Sequence, residues 1–247
     1  MKKLLLLAVL IAVPVAGADQ LYIVPVFATR VLGASGQSTT HVHVFNPGPS
    51  AANVTIQEIF AAGGILDCPL APDTQTLAPL EARDDIRPFC GANIVAAYTM
   101  TSDQPLVITD DIETSGASHV EHQSVHVLSD WLPANRQSLI PNVTVGNGGN
   151  DRTNLFLVNP SPFPITVSVH LARPVIGAAN ATLDLAFDVP SKTMIVRPLP
   201  VVPIVCLVAP CDVPQEVLVR GSGIFYAGAS WLQNNDPVFR DPVVIDE

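Results

Sequence analysis

Five of the six histidines fall in the first half of the chain, and His41 and His43 stand two residues apart in the run THVHVF at 40–45. In an extended strand alternate side chains share a face, so this spacing presents two imidazoles together. Such a pair suits Zn²⁺ or Cu²⁺ if a neighbouring strand adds a third nitrogen. His119, His122 and His126 lie in a later run of the same half. The candidate metal ligands are therefore His41, His43, His119 and His122. Binding would need neutral imidazoles and would weaken below about pH 6.5. The plainer reading makes them half-exposed strand residues.

Other constellations carry less. The chain has no GxSxG elbow, no HExxH, no Walker loop and no GxGxxG. Ser35, in GASG, lacks the strand-turn-helix setting that exposes a nucleophile. Asp84-Asp85 and Asp110-Asp111 are sequence neighbours, which a strand turns to opposite faces, so they read as solvated turn or edge charges. The loop NGGND at 147–151 has oxygen ligands but not the spacing or closing Glu of a calcium site. No catalytic or cofactor-binding residue is assigned. Sequons stand at Asn53, Asn142 and Asn180, and matter only where exported chains are glycosylated.

The elements that would hold these residues come in two copies. THVHVFNPGP at 40–49 is echoed by TNLFLVNPSP at 153–162. Each is an alternating run stopped by Asn-Pro: proline has no N–H for a ladder, and it holds the preceding Asn extended, where its amide can start a turn. The echo places Asn154 and Phe156 where His41 and His43 stand, so the fold itself does not require histidine there. A second alternating run follows in both copies, with Ile165, Val167, Val169 and Leu171 matched by Ala52, Val54, Ile56 and Glu58. The charged Glu58 implies a bulge or slip at that point. Ile140-Pro141 answers Val24-Pro25, Val189-Pro190 answers Ala78-Pro79, and Arg197-Pro198 answers Arg87-Pro88. Landmarks repeated in one order imply an internal duplication.

No apolar 3.6-residue period persists beyond the N-terminus, and 23 prolines at short intervals oppose helices. Strands are expected near 21–28 (an edge strand, because of Pro25), 40–45, 54–60, 94–101, 106–112 and 120–128, with a turn at 102–105. The stretch 63–79 reads as loop. In the second half, strands are expected near 137–144, 153–159, 165–171, 181–189, 193–197, 217–221 and 223–232, with LPANR at 132–136 as linker. Short strands with polar turns predict an all-β fold with a β-sandwich in each half. The Thr-strand-Asn-Pro pattern resembles immunoglobulin-like modules of bacterial secreted and cell-surface proteins. That resemblance implies two tandem immunoglobulin-like sandwiches and no catalytic residue; the Cys and Trp hallmarks of antibody domains are missing.

Residues 1–18 read as an export signal: Lys2 and Lys3, an apolar stretch at 4–15, then Ala16-Gly17-Ala18. The expected organisation is a signal peptide at 1–18, one sandwich at 19–132 and a second at 133–247. Cleavage would leave ten basic against 22 acidic residues, a formal charge of −12. That surface disfavours nucleic acid and anionic lipid, and the mature chain is not expected to span a membrane. In an oxidising compartment the four cysteines imply two disulfides, most simply Cys68 with Cys90 and Cys206 with Cys211, although four cysteines permit three pairings. The first functional reading is a secreted or periplasmic, non-catalytic protein with a structural, adhesive or binding role, exerted through loops on the β-sandwich units toward a protein or envelope component, needing no cofactor. A metal-binding protein using the first-half histidines is the second, and a hydrolase with a dispersed site the third.

Overall fold

The computed structural model describes residues 19–29, 31–32, 37–61, 73–84, 94–115, 120–125, 137–144, 152–173, 181–199, 214–233, 236–240 and 243–245, and every regular element among them is a strand. The first half supplies β1 (Gln20–Thr29), β2 (Val31–Leu32), β3 (Gln37–Phe45), β4 (Ala52–Ala61), β5 (Asp73–Leu77), β6 (Ala82–Asp84), β7 (Ile94–Ser102), β8 (Val107–Ser115) and β9 (Val120–Val125). The second supplies β10 (Gln137–Thr144), β11 (Arg152–Asn159), β12 (Ile165–Arg173), β13 (Ala181–Val189), β14 (Thr193–Pro198), β15 (Pro214–Gly221), β16 (Tyr226–Gln233), β17 (Asp236–Arg240) and β18 (Val243–Ile245).

The alternation read from the sequence becomes alternation in burial. Thr40, Val42 and Val44 turn inward from β3, while His41 and His43 face out. On β12, Ile165, Val167, Val169 and Leu171 are buried, and Thr166 and Ser168 are exposed. Period-two geometry is the whole cause.

In the first half β1-β7-β4-β5 form one layer and β6-β3-β8-β9 the other, with β2 also on β3. In the second half β10-β15-β12-β13 and β14-β11-β16-β17 repeat that order, and β18 adds to β10. One apolar core, with Val42, Val54, Ile56, Tyr98 and Met100, fills the first half. A second, with Leu155, Leu157, Val167, Val169, Val219 and Phe225, fills the other. The halves are also joined. The ends of β4 and β14 pair in parallel, Phe60 with Thr193 and Ala61 with Met194, which merges a layer from each half into one eight-stranded sheet. Ile23, Ile59, Ala97 and Ile112 of the first half gather with Phe156, Val158, Met194 and Tyr226 of the second in a third buried cluster.

The Asn-Pro motifs occupy matching corners. Asn46 Nδ2 donates to the carbonyls of Ser50 (2.8 Å), Leu77 (3.3 Å) and Ala78 (3.1 Å), and its Oδ1 accepts from Gly48 N–H (3.0 Å). Asn159 Nδ2 donates to the carbonyls of Phe163 (2.8 Å), Val189 (3.1 Å) and Pro190 (2.9 Å), and its Oδ1 accepts from Ser161 N–H (2.9 Å). Both asparagines are fully buried. Each ties its own turn to the end of a strand about 30 residues later. The chain then turns through a left-handed residue in each half, Leu80 (φ 59°) and Lys192 (φ 49°).

Several expectations need correction. The register of β4 on β7 runs unbroken past Glu58, with Glu58 opposite Tyr98, so no bulge forms there. The irregularities sit at the prolines instead: between Val24 and Phe27 on β1 and between Ile140 and Val143 on β10. A missing N–H is harmless where the ladder already breaks. β1 is an edge strand, and β18 pairs with β10 only over Gln137–Leu139, ahead of Pro141. β5 lies inside the stretch expected to be loop, and β17 and β18 lie in a tail where no strand was expected. The linker at 132–136 lies outside the described residues.

Candidate functional site

Two outward sheet faces gather the polar chemistry. On the first, β3 presents His41 and His43, β8 presents Asp111 and Glu113, and β6 brings Asp84 opposite His43. His43 Nδ1 lies 2.8 Å from Asp84 Oδ1, and its Nε2 lies 3.2 Å from Asp111 Oδ1. His41 Nε2 lies 3.4 Å from Glu113 Oε2. A neutral imidazole carries one N–H, so only the imidazolium can donate to both carboxylates. The Asp84 hydrogen bond raises the His43 pKa above 6.5, partial burial works against it, and Asp111 adds to the rise.

Because the folded value is raised, this bridge stabilises the fold fully below pH 6.5 and is lost as pH climbs through the folded value. His43 is 44% exposed, so the effect belongs with exposed ion pairs, at most about 1 kcal/mol. Urea unfolding of wild type and His43→Ala across pH 5.5 to 9 should show a gap that is widest at the acid end and narrows with rising pH. A gap independent of pH would remove the bridge.

The four expected metal ligands are not all brought together. His41 and His43 share a face, as their spacing required. His122 pairs in register with Glu113, so β8 stands between β9 and β3. Two strand spacings, roughly 10 Å of backbone, separate it from the histidine pair. His119 and His126 lie outside the described residues, as do Ser35, the 147–151 loop and Cys68, Cys90, Cys206 and Cys211. Among the described residues, no group of three or more His, Cys, Asp or Glu is placed to hold a metal ion.

Asp110 and Asp111 do point to opposite faces, but Asp110 is no solvated edge charge. It is buried between the two layers of the first half, 1% exposed, on the strand position facing Val42. Asp84, by contrast, is well exposed.

The second face lies on β13-β12-β15-β10, whose inner side chains fill the second core. Its outward side is a groove of about 500 Å³ lined by Gln137, Ser168, His170, Asp184, Ala186, Leu218 and Arg220, with parts of neighbouring residues. Ladder register sets the pattern: Ala186, Ser168, Arg220 and Gln137 form one row, and Asp184, His170, Leu218 and Leu139 the next. His170 Nδ1 lies 2.6 Å from Asp184 Oδ1. Ser168 is two residues along the same face, yet no hydrogen bond joins it to His170. β12 and β15 are each paired on both sides, so their backbone groups are committed to ladders and supply no oxyanion donors. The groove can hold a polar ligand above an apolar floor.

Asp84, Asp111 and Glu113 as histidine partners, and Asp184 and Arg220 as groove residues, emerge only from the structure. The signal for the first set was present: a D-x-E spacing at 111–113 places two carboxylates on one face just as H-x-H places two imidazoles. The signal for the second was not, because it depends on which strands lie side by side.

The chain matches no protein-family model, no curated protein and no solved structure.

Proposed function

We propose that the chain is an exported, non-catalytic binding protein, built as two tandem immunoglobulin-like β-sandwich units (19–132 and 133–247) that arose by duplication, with residues 1–18 removed on export. Matching strand orders and the matching Asn46 and Asn159 corners support the duplication. One observation carries the binding role: the groove on the outward face of the second unit, where Arg220, His170, Asp184, Gln137 and Ser168 surround Leu218. Its setting supports it too. Residues 19–132 carry three basic and thirteen acidic side chains, while 133–247 carry seven and nine. The groove therefore lies in the half least shielded by negative charge, where a protein or envelope component with acidic groups meets the least repulsion. Sandwich scaffolds more often bind through loops, as the sequence leads one to expect, but here the convergent polar groups gather on a sheet face.

The test uses the mature chain purified from the exported fraction, which should begin at Asp19 and contain Cys68–Cys90 and Cys206–Cys211 by non-reducing peptide mapping. A disulfide closing the first of these loops would stabilise its unit by roughly 3 kcal/mol in the chain-entropy picture. Immobilised on beads, this chain should retain an envelope component that an Arg220→Glu/His170→Ala variant of equal stability does not. Equal retention by both, or none by either, overturns the assignment of the groove.

A further inference from the structure

We infer that the two outward sheet faces are caps, which stop the contact between the units from repeating with a second copy of the chain. The inference rests on the duplication reading. The contact between units is heterologous: the β1-β7-β4 layer of the first meets the β14-β11-β16 layer of the second. A contact of that kind does not use itself up. Each unit keeps the complementary face free, and unchanged free faces would add copies head to tail without limit.

Ladder registers identify the positions that would repeat the contact. In the second unit the joined face carries Phe156, Val158, Met194, Val196 and Tyr226, all but Val196 fully buried. The same register places in the first unit are His43, Phe45, Ala82, Asp84 and Val107. His43 replaces Phe156, Asp84 replaces Val196, and Asp111 takes the place of Ser230. The His43 bridge to two carboxylates thus stands where the second unit buries an aromatic ring. A desolvated carboxylate costs far more than an apolar contact returns, so a partner layer cannot seat there.

The other end is altered in the same sense. The joined face of the first unit uses Ile23, Ala97 and Thr99, all buried, next to Thr101. The second unit has Leu139, Glu216, Leu218 and Arg220 at those places, and Glu216 and Arg220 are exposed. The edge pairing is blocked as well. Phe60-Ala61 extend past the end of β5 and make the parallel pair with β14, whereas β12 is covered by β13 as far as Arg173, so that stretch of the second unit offers no free edge. Polar outer faces on terminal units serve this purpose in repeat architectures generally.

The experiment restores one end at a time in the full mature chain. Variant one carries His43→Phe, Asp84→Val and Asp111→Ser. Variant two carries Glu216→Ala and Arg220→Thr. Sedimentation velocity should find wild type and each variant monomeric across a dilution series, and an equimolar mixture of the two variants at twice the monomer mass. A chain carrying both sets should form longer, concentration-dependent assemblies. A mixture of folded variants that stays monomeric overturns the inference, and so does wild type that assembles unaided. If either set prevents folding, the milder pair Asp84→Val and Arg220→Thr is mixed and read the same way, with weaker but still concentration-dependent association expected. Failure of the duplication reading would show separately, as an experimental structure in which Asn46 and Asn159 hold unrelated corners.

Discussion

Asn159→Asp is expected to cost the protein about 3–5 kcal/mol, a large share of the 5–15 kcal/mol that holds a typical domain folded. The Asn159 amide nitrogen faces three carbonyl oxygens at 2.8, 3.1 and 2.9 Å in a fully buried corner. Aspartate would put a charged oxygen against all three and remove every donor. Asn159→Ala should cost less, about 2–3 kcal/mol, because it leaves carbonyls unsatisfied without adding charge. Acid separates the two variants. A carboxyl held among carbonyls has a raised folded pKa, so the aspartate deficit should shrink as pH falls and the group regains one O–H donor, while the alanine deficit stays level. Asn46→Asp should repeat this in the first half, since its amide holds the carbonyls of Ser50, Leu77 and Ala78. Chemical denaturation of the three variants at pH 7 and pH 4.5 measures it. A loss below 1 kcal/mol for either aspartate would show that the corners carry little of the fold.

Gly221→Ser is the second large effect. A Cβ at Gly221 would lie 2.7 Å from Phe225 Cε1 and 3.1 Å from its Cγ, and Phe225 is a fully buried core ring with nowhere to retreat. Overpacking of this kind costs about 1–3 kcal/mol. The first half shows the alternative solution, since Ser102 and Leu106 stand at the corresponding places, both buried. Serine is accommodated there beside a smaller neighbour. Phe225→Leu alone should destabilise by leaving a cavity. The double variant Gly221→Ser/Phe225→Leu should lose clearly less than the two singles added together, since residues in contact couple by about 0.5–3 kcal/mol. Thermal unfolding of the three proteins checks this, and strict additivity would mean that the ring yields without cost.

The faces that carry polar chemistry follow from the same size and charge exchanges between halves. Where the second half buries Phe156, the first exposes His43 between Asp84 and Asp111. Equivalent backbone positions thus carry a core residue in one half and a hydrated ion bridge in the other. The difference is where each face sits: against the other half, or against solvent.

Sequence alone settled the strand character of this protein. Alternation in THVHVF and ITVSVH, the density of proline and the absence of a helical period leave few alternatives to sheets. It also located both asparagine corners, because Asn-Pro after an alternating run is a local chemical signal. The shared face of His41 and His43 followed from period two with no tertiary information. The sequence misplaced the irregularity, assigning it to Glu58 when the prolines at 25 and 141 take it, because a charged side chain leaves its backbone N–H available to the ladder and proline does not. It missed β5, β17 and β18, whose short segments are extended through pairing with β4, β16 and β10 and carry little pattern of their own. Tertiary structure alone decided that β4 and β14 join across the halves, that Asp110 is buried while Asp111 bridges to His43, and that Arg220, His170 and Asp184 line one groove. Each of these depends on which strands become neighbours across long stretches of chain. A two-residue period fixes only the face to which a side chain turns.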